Sequence, residues 1–142
     1  MKPQLLIVDD EPDIRASLSR RYILNGYDVD TAEDGETALG FLEKKPYHIV
    51  VSDIKMPGMN GIELLRTIRS EYPMTRVIII TGYVTLNNGL ACLRYGAETC
   101  IFKPIEDLSE MDEAIKRILA SLQQWEQKLL RLKHLAPENG AA

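Results

Sequence analysis

Residues 50–61 read VVSDIKMPGMNG. An apolar run ends in the lone carboxylate of Asp53, and a loop rich in Pro and Gly follows at once. Such a run, β-branched and stopped by turn residues, suits a strand buried on both faces. Asn60-Gly61 then opens a segment in which Ile62, Leu65 and Ile68 recur at helical spacing until Pro73. The unit is strand, loop, helix, with an acid at the first junction.

The unit recurs along the chain. Apolar runs fall at 5–8, 27–32, 49–51, 77–80 and 99–102. Helical spacing fills the gaps: Ile14, Leu18 and Tyr22 up to Asn25-Gly26, then Ala38, Leu39 and Leu42 after a capping Asp34, then Leu86, Leu90 and Leu93 up to Gly96. Five strand–helix units predict an α/β fold, a doubly wound parallel sheet with right-handed crossovers. The run at 27–32 alternates, with Tyr27, Val29 and Thr31 set against Asp28 and Asp30, and this suits a sheet edge.

The chain has 142 residues, 45% of them hydrophobic, which is enough for a real core. Its net charge of −4 argues against a broad basic surface for nucleic acid. No apolar run approaches the roughly 18 residues of a membrane span, and residues 1–6 lack the pattern of a signal peptide. A cytoplasmic protein with no membrane or direct nucleic-acid contact is expected. Cys92 and Cys100 read as two small core thiols, and His48 and His134 form no motif.

The fifth helix is longer than the domain needs. It is expected to begin near Ser109 and run to about Leu135, and Ile115, Ile118, Leu122, Trp125, Leu129, Leu132 and Ala136 step by three and four along it. That is a heptad seam. Its first half must pack on the sheet, while its second half would leave Trp125, Leu129 and Leu132 wet. The expected organisation is therefore a domain over 1–120, a helical extension over 121–136 acting as a coiled coil or linker, and a flexible tail over 137–142. A homodimer through the seam is the favoured reading, against a tail folded back on its own domain.

The residues that follow the runs carry the chemistry. The first run is followed by Asp9-Asp10, the third by Asp53, the fourth by Thr81 and the fifth by Lys103. In a parallel sheet these positions share one edge, and open α/β sheets bind ligands outside the carboxyl ends of their strands. Carboxylates gathered there repel, by about 4 kcal/mol per pair at ~4 Å and an effective dielectric of 20. Lys103 can neutralise one charge, and the remainder calls for a cation. A hard, oxygen-only site with few protein ligands suits Mg²⁺. A carboxylate can itself attack a phosphoryl group, and such transfer depends on positioning and charge neutralisation. A metal, an ammonium and a hydroxyl would cover the three phosphoryl oxygens. Asp53 is the best nucleophile, because the loop Met56-Pro57-Gly58 leaves it open above and Gly82 offers no side chain to obstruct a donor.

LLIVDDE, VVSDIKMPGMNGIELL, VIIITGY and GAETCIFKP, in this order and at these intervals over about residues 4–120, resemble the response-regulator receiver family of two-component signalling. The resemblance implies a flavodoxin-like five-stranded sheet of order 2-1-3-4-5, which is the order receivers are already known for. It implies that Asp53 is the phosphoacceptor, taking phosphate from a sensor histidine kinase or phosphotransfer protein with Mg²⁺ as cofactor. Asp10 would bind the metal directly and Asp9 mainly through water, Lys55 would offer its backbone carbonyl, and Lys103 would pair with the phosphoryl group. The Lys103–Pro104 bond is expected to be cis. Thr81 would swing toward the new phosphoryl group, letting an aromatic ring three residues before the lysine turn inward. This chain has Cys100 at that position; Phe102 lies on the same side of the strand, and Tyr83 and Tyr95 are further candidates.

Three functions compete. A phosphorylation switch would catalyse only its own phosphorylation and slow dephosphorylation, and would act on a downstream effector or a fused output domain. A phosphohydrolase of the haloacid dehalogenase type needs a second Asp two residues after the nucleophile, where this chain has Lys55. A pure dimerisation module would leave the acidic set without a role. A nucleotide-binding domain is disfavoured, because no Gly-rich phosphate loop follows the first strand.

Overall fold

The computed structural model describes residues 2–135. Ala136 of the seam and the tail at 137–142 lie outside them. The elements alternate without exception: β1 (Gln4–Val8), α1 (Pro12–Leu24), β2 (Asp28–Ala32), α2 (Gly35–Lys44), β3 (Ile49–Ser52), α3 (Gly61–Glu71), β4 (Arg76–Thr81), α4 (Leu86–Arg94), β5 (Thr99–Phe102) and α5 (Ser109–Lys133). The strands form one parallel sheet of order β2-β1-β3-β4-β5. This is the flavodoxin-like arrangement expected, with β2 at an edge.

Alternation along the strands divides the core in two. Leu6, Val8, Val50, Val77 and Ile79 face α2, α3 and α4, where they meet Ala38, Leu42, Leu64, Leu65 and Ile68. Leu5, Ile7, Ile49, Val51, Ile78 and Ile80 face α1 and α5, where they meet Leu18, Tyr22, Met111, Ile115 and Ile118. Local chemistry starts the middle helices: Asp34, Asn60 and Thr85 each accept a hydrogen bond from the backbone N–H three residues on.

Two features differ from a simple reading of periodicity. Leu86, Leu90 and Leu93 do mark α4, but they are exposed, at 78%, 45% and 77%, and Cys92 is the helix's buried residue. Periodicity tells which residues share a face and does not tell which face meets the sheet. The edge strand β2 turns Thr31 outward, while Asp30 is half buried and held by the Tyr47 hydroxyl and by Lys45 at 2.9 Å.

Helix α5 is 25 residues long, about 38 Å. Its buried stripe ends at Leu122. Beyond it Trp125, Leu129 and Leu132 stand 51%, 47% and 62% exposed. The extension leaves the domain beside Gln4, His48 and Met74, at the amino ends of the strands and so opposite the carboxyl edge. None of the helices among the described residues is long and apolar enough to cross a membrane.

Candidate functional site

Strand register brings the acids together. Val8 lies opposite Ser52, so Asp9 and Asp53 leave the sheet side by side, and the Asp53 N–H donates to the Val8 carbonyl at 3.0 Å. Thr81 lies opposite Phe102, so Lys103 leaves the neighbouring strand at the same edge, with its N–H on the Thr81 carbonyl at 2.9 Å. The Lys103–Pro104 bond is cis, as expected.

Asp53 is buried to 5% exposure and held at both oxygens. Oδ1 accepts the Ile54 N–H at 2.7 Å, and Oδ2 takes the Lys103 ammonium at 2.8 Å. Helix α3 begins directly behind it. A Cβ at Gly61 would sit 1.9 Å from the Asp53 carbonyl oxygen, and the Gly61 N–H donates to the Ile54 carbonyl at 2.7 Å. Only glycine lets the helix start this close to the acidic residue's backbone. Gly58 takes φ +73° in the loop above, where the Met59 N–H is held by Glu36.

Four carboxylates, from Asp9, Asp10, Glu11 and Asp53, each offer an oxygen within 4.8 Å of the others. The Lys103 ammonium reaches three of them: Asp53, Asp9 at 3.0 Å, and Glu11. Burial pulls the ammonium down, but the bonds to Asp53, Glu11 and Asp9 outweigh it and hold it charged, above the ordinary lysine value. Burial raises the Asp9 carboxyl above the usual carboxylate range, and the Glu11 N–H and Lys103 pull against it without cancelling it. One cation among four carboxylates leaves a negative surplus. Asp9 Oδ2 is buried and ion-pairs with the Lys103 ammonium at 3.0 Å, the same ammonium that serves Asp53 and Glu11. An all-oxygen set with this charge surplus fits a hard divalent cation such as Mg²⁺.

The cleft above the cluster has a volume of about 470 Å³ and is lined by Asp10, Glu11, Asp53, Lys55, Gly82, Tyr83 and Lys103. Lys55 and Tyr83 stand together at its mouth, with the ammonium 5.6 Å from the ring centre. Thr81 is buried at the same strand end, and its hydroxyl accepts the Tyr83 N–H at 2.9 Å. Cys100 is half buried on the α4 side, while Phe102 is 56% exposed.

Asp9, Asp10, Asp53 and Lys103 thus meet as the sequence suggested, and Lys55 and Thr81 lie at the same edge. Glu11 is the addition. In sequence it reads as an acid favoured at the start of a helix, and only its position across from β5 shows that it shares Lys103. Gly61 is the second addition, since its close approach depends on where α3 starts relative to β3.

Fold and cleft together define a flavodoxin-like domain with an acidic, cation-compatible pocket at the carboxyl edge of its sheet. The family model described as the response regulator receiver domain matches residues 5–116. The chain is similar to the response regulator protein FleR of Pseudomonas aeruginosa, 32% identical over 122 residues that make up 86% of this chain and 26% of that protein. Its fold is similar to a CheY-like receiver domain protein from Methanospirillum hungatei, with TM-score 0.82 and 31% identity over 87% of this chain and 98% of the other. It is also similar to the response regulator TrrA of Thermotoga maritima in complex with Mg²⁺ and BeF, with TM-score 0.73 and 35% identity over 83% and 99% of the two chains. The chain belongs to the response regulator receiver domain family of two-component systems. It spans about a quarter of the length of curated relatives such as FleR.

Proposed function

We propose that the protein is a phosphorylation switch that accepts a phosphoryl group on Asp53 from a phosphohistidine of a sensor kinase or phosphotransfer protein. The observation that carries this reading is the state of Asp53. It is a buried carboxylate fixed at both oxygens, set among three other acids and one lysine, beneath a cleft open to a donor. A carboxylate oxygen of Asp53 attacks phosphorus, the phosphorus–nitrogen bond of the donor breaks, and an acyl phosphate remains. Lys103 is within reach of the carboxylate and can follow the charge onto a phosphoryl oxygen. Thr81 can turn its hydroxyl from the Tyr83 amide to another. Asp9, Asp10 and Asp53 would hold Mg²⁺, with the Lys55 carbonyl as the family resemblance suggests. Bound there, the ion would neutralise charge on the transferring group. The Mg²⁺–BeF complex of TrrA supports this assignment by similarity. On this reading the chain acts only on its own Asp53, and Lys55 stands where a phosphohydrolase of the haloacid dehalogenase type needs its second Asp, so the protein is proposed to be a switch.

Output is proposed to pass through protein contacts, either to an effector or to a fused output domain, in a cytoplasmic setting. The exposed Trp125, Leu129 and Leu132 continue the stripe that α5 buries on the sheet. This supports a homodimer or signalling linker built on the extension. The acceptor is tested by acetyl phosphate with Mg²⁺. Wild-type protein should take up one phosphoryl group and Asp53→Asn none. Equal uptake by the variant would place the acceptor elsewhere.

A further inference from the structure

The buried stripe of α5 runs out of its own domain. Leu122 is the last residue of the helix to be buried on the sheet, and Trp125, Leu129 and Leu132 continue its stripe in the open. In heptad terms Leu122 and Leu129 are a positions, and Trp125 and Leu132 are d positions. The flanking positions carry charge. Glu126 and Lys133 are both e, and Lys128 is g. All three are exposed, and among the described residues none of them forms an ion pair within the chain.

These charges distinguish the two ways in which a second copy can lie on the seam. In a parallel pair in register, each g residue faces the partner's e residue five positions on. Lys128 would then meet the partner's Lys133, twice in the dimer, and Glu126 would meet the partner's Ser121. In an antiparallel pair, e faces e. With Leu129 packed on the partner's Leu132, Glu126 meets the partner's Lys133, and the twofold axis repeats the pair. One arrangement sets lysine against lysine, and the other makes two ion pairs.

The base of the domain points the same way. A groove of about 670 Å³ runs between the extension and the amino ends of the strands, with Pro46, Tyr47 and Met74 on one side and Leu122, Leu129 and Leu130 on the other. An antiparallel partner runs its helix end back toward this groove, while a parallel partner runs its end away from it.

We propose, resting on the homodimer reading, that the surface formed by Trp125, Glu126, Leu129, Leu132 and Lys133 docks the same surface of a second copy running the opposite way. Each Glu126 pairs with the partner's Lys133. The two domains lie toward opposite ends of the shared helices. Each Asp53 cleft is at the sheet edge away from the extension, so both stay open to a phosphoryl donor.

The test is the dissociation constant of the full-chain dimer, by sedimentation equilibrium at low salt, for wild type, Glu126→Lys, Lys133→Glu and the double variant. Each single change should weaken the dimer at least about fivefold, because it turns two attractive pairs into two repulsive ones. The double variant should return to within about twofold of wild type. A parallel dimer behaves differently: Lys133→Glu would relieve the contact with Lys128 and tighten it, and Glu126→Lys would change little. Either of those results would overturn the antiparallel arrangement and leave the homodimer standing. A double variant as weak as the singles would also overturn it. A wild-type chain that stays monomeric at high concentration would overturn the homodimer and the proposal together.

Discussion

Gly61→Ala is the most revealing single change. It adds one methyl group to a residue with no catalytic atom of its own. That methyl would stand 1.9 Å from the Asp53 carbonyl oxygen and 2.8 Å from both the Asp53 carbonyl carbon and the Ile54 Cα. The first distance is about 1 Å shorter than real Cβ contacts tolerate. All three neighbours are backbone, so no side chain can swing away. Either α3 backs off, losing the Gly61 to Ile54 hydrogen bond and the packing of the buried Leu64 and Leu65, or the Asp53 peptide moves and takes its carboxylate off Lys103. Overpacking at a rigid site costs on the order of 3 kcal/mol. That is a fall in melting temperature of roughly 10 °C for a domain of this size. Urea denaturation gives the cost, and acetyl phosphate labelling of the folded variant reads the displacement of Asp53. Labelling should slow by at least about tenfold, since misplacing a reacting group by about 1 Å carries penalties of that order or larger. A variant as stable as wild type and labelled at the wild-type rate would refute the close approach.

Gly40→Ala is the matched control. Nothing lies within 4 Å of its Cβ position inside α2, so it should stabilise the protein by about 0.5–1 kcal/mol in urea; a loss would contradict the open space there. Tyr22→Phe removes the hydroxyl that donates to Asp112 at 2.8 Å in the core and should cost about 1–2 kcal/mol near neutral pH. Burial first, and then the Asp112 carboxylate, raise the Tyr22 phenol. Its contribution to stability is therefore complete below the unfolded value of about 10 and is lost as the pH climbs through and beyond it. Stability of the wild type should fall more steeply than that of Tyr22→Phe above about pH 10, and parallel curves would count against the buried hydrogen bond. Lys103→Ala leaves the four-carboxylate cluster without its ammonium. The variant should respond weakly to phosphoryl analogues, and a full conformational response to beryllofluoride would remove Lys103 from its assigned contact. Leu129→Glu with Leu132→Glu alters positions exposed in the single chain, so the fold should persist while a dimer shifts to monomer in sedimentation; a wild-type chain that is already monomeric at high concentration would reject the seam as an interface.

Which parts of this were readable beforehand follows from the range of the forces. The strands were legible because a central parallel strand is covered on both sides and needs Ile and Val almost without interruption, as at 77–80. The site was legible in outline because a parallel sheet sends every strand's carboxyl end to one edge, so Asp9, Asp53, Thr81 and Lys103 had to come near one another. Details that depend on how one element sits against another were not. Glu11 looks like a helix-start acid until β5 places Lys103 across from it. Gly61 looks like an ordinary turn glycine until α3 is seen to begin against Asp53. Leu86, Leu90 and Leu93 gave α4 its period but not its orientation, and the buried thiol of Cys92 turned out to be the anchor.

The most direct measurement is the chemical identity of residue 53 after phosphorylation. The protein is incubated with acetyl phosphate, with and without Mg²⁺, reduced with borohydride, digested and sequenced by mass spectrometry. An acyl phosphate at Asp53 would be read as homoserine at that position, present with Mg²⁺ and absent with chelator. Homoserine at another acidic residue, or equal yield without the metal, would contradict the account.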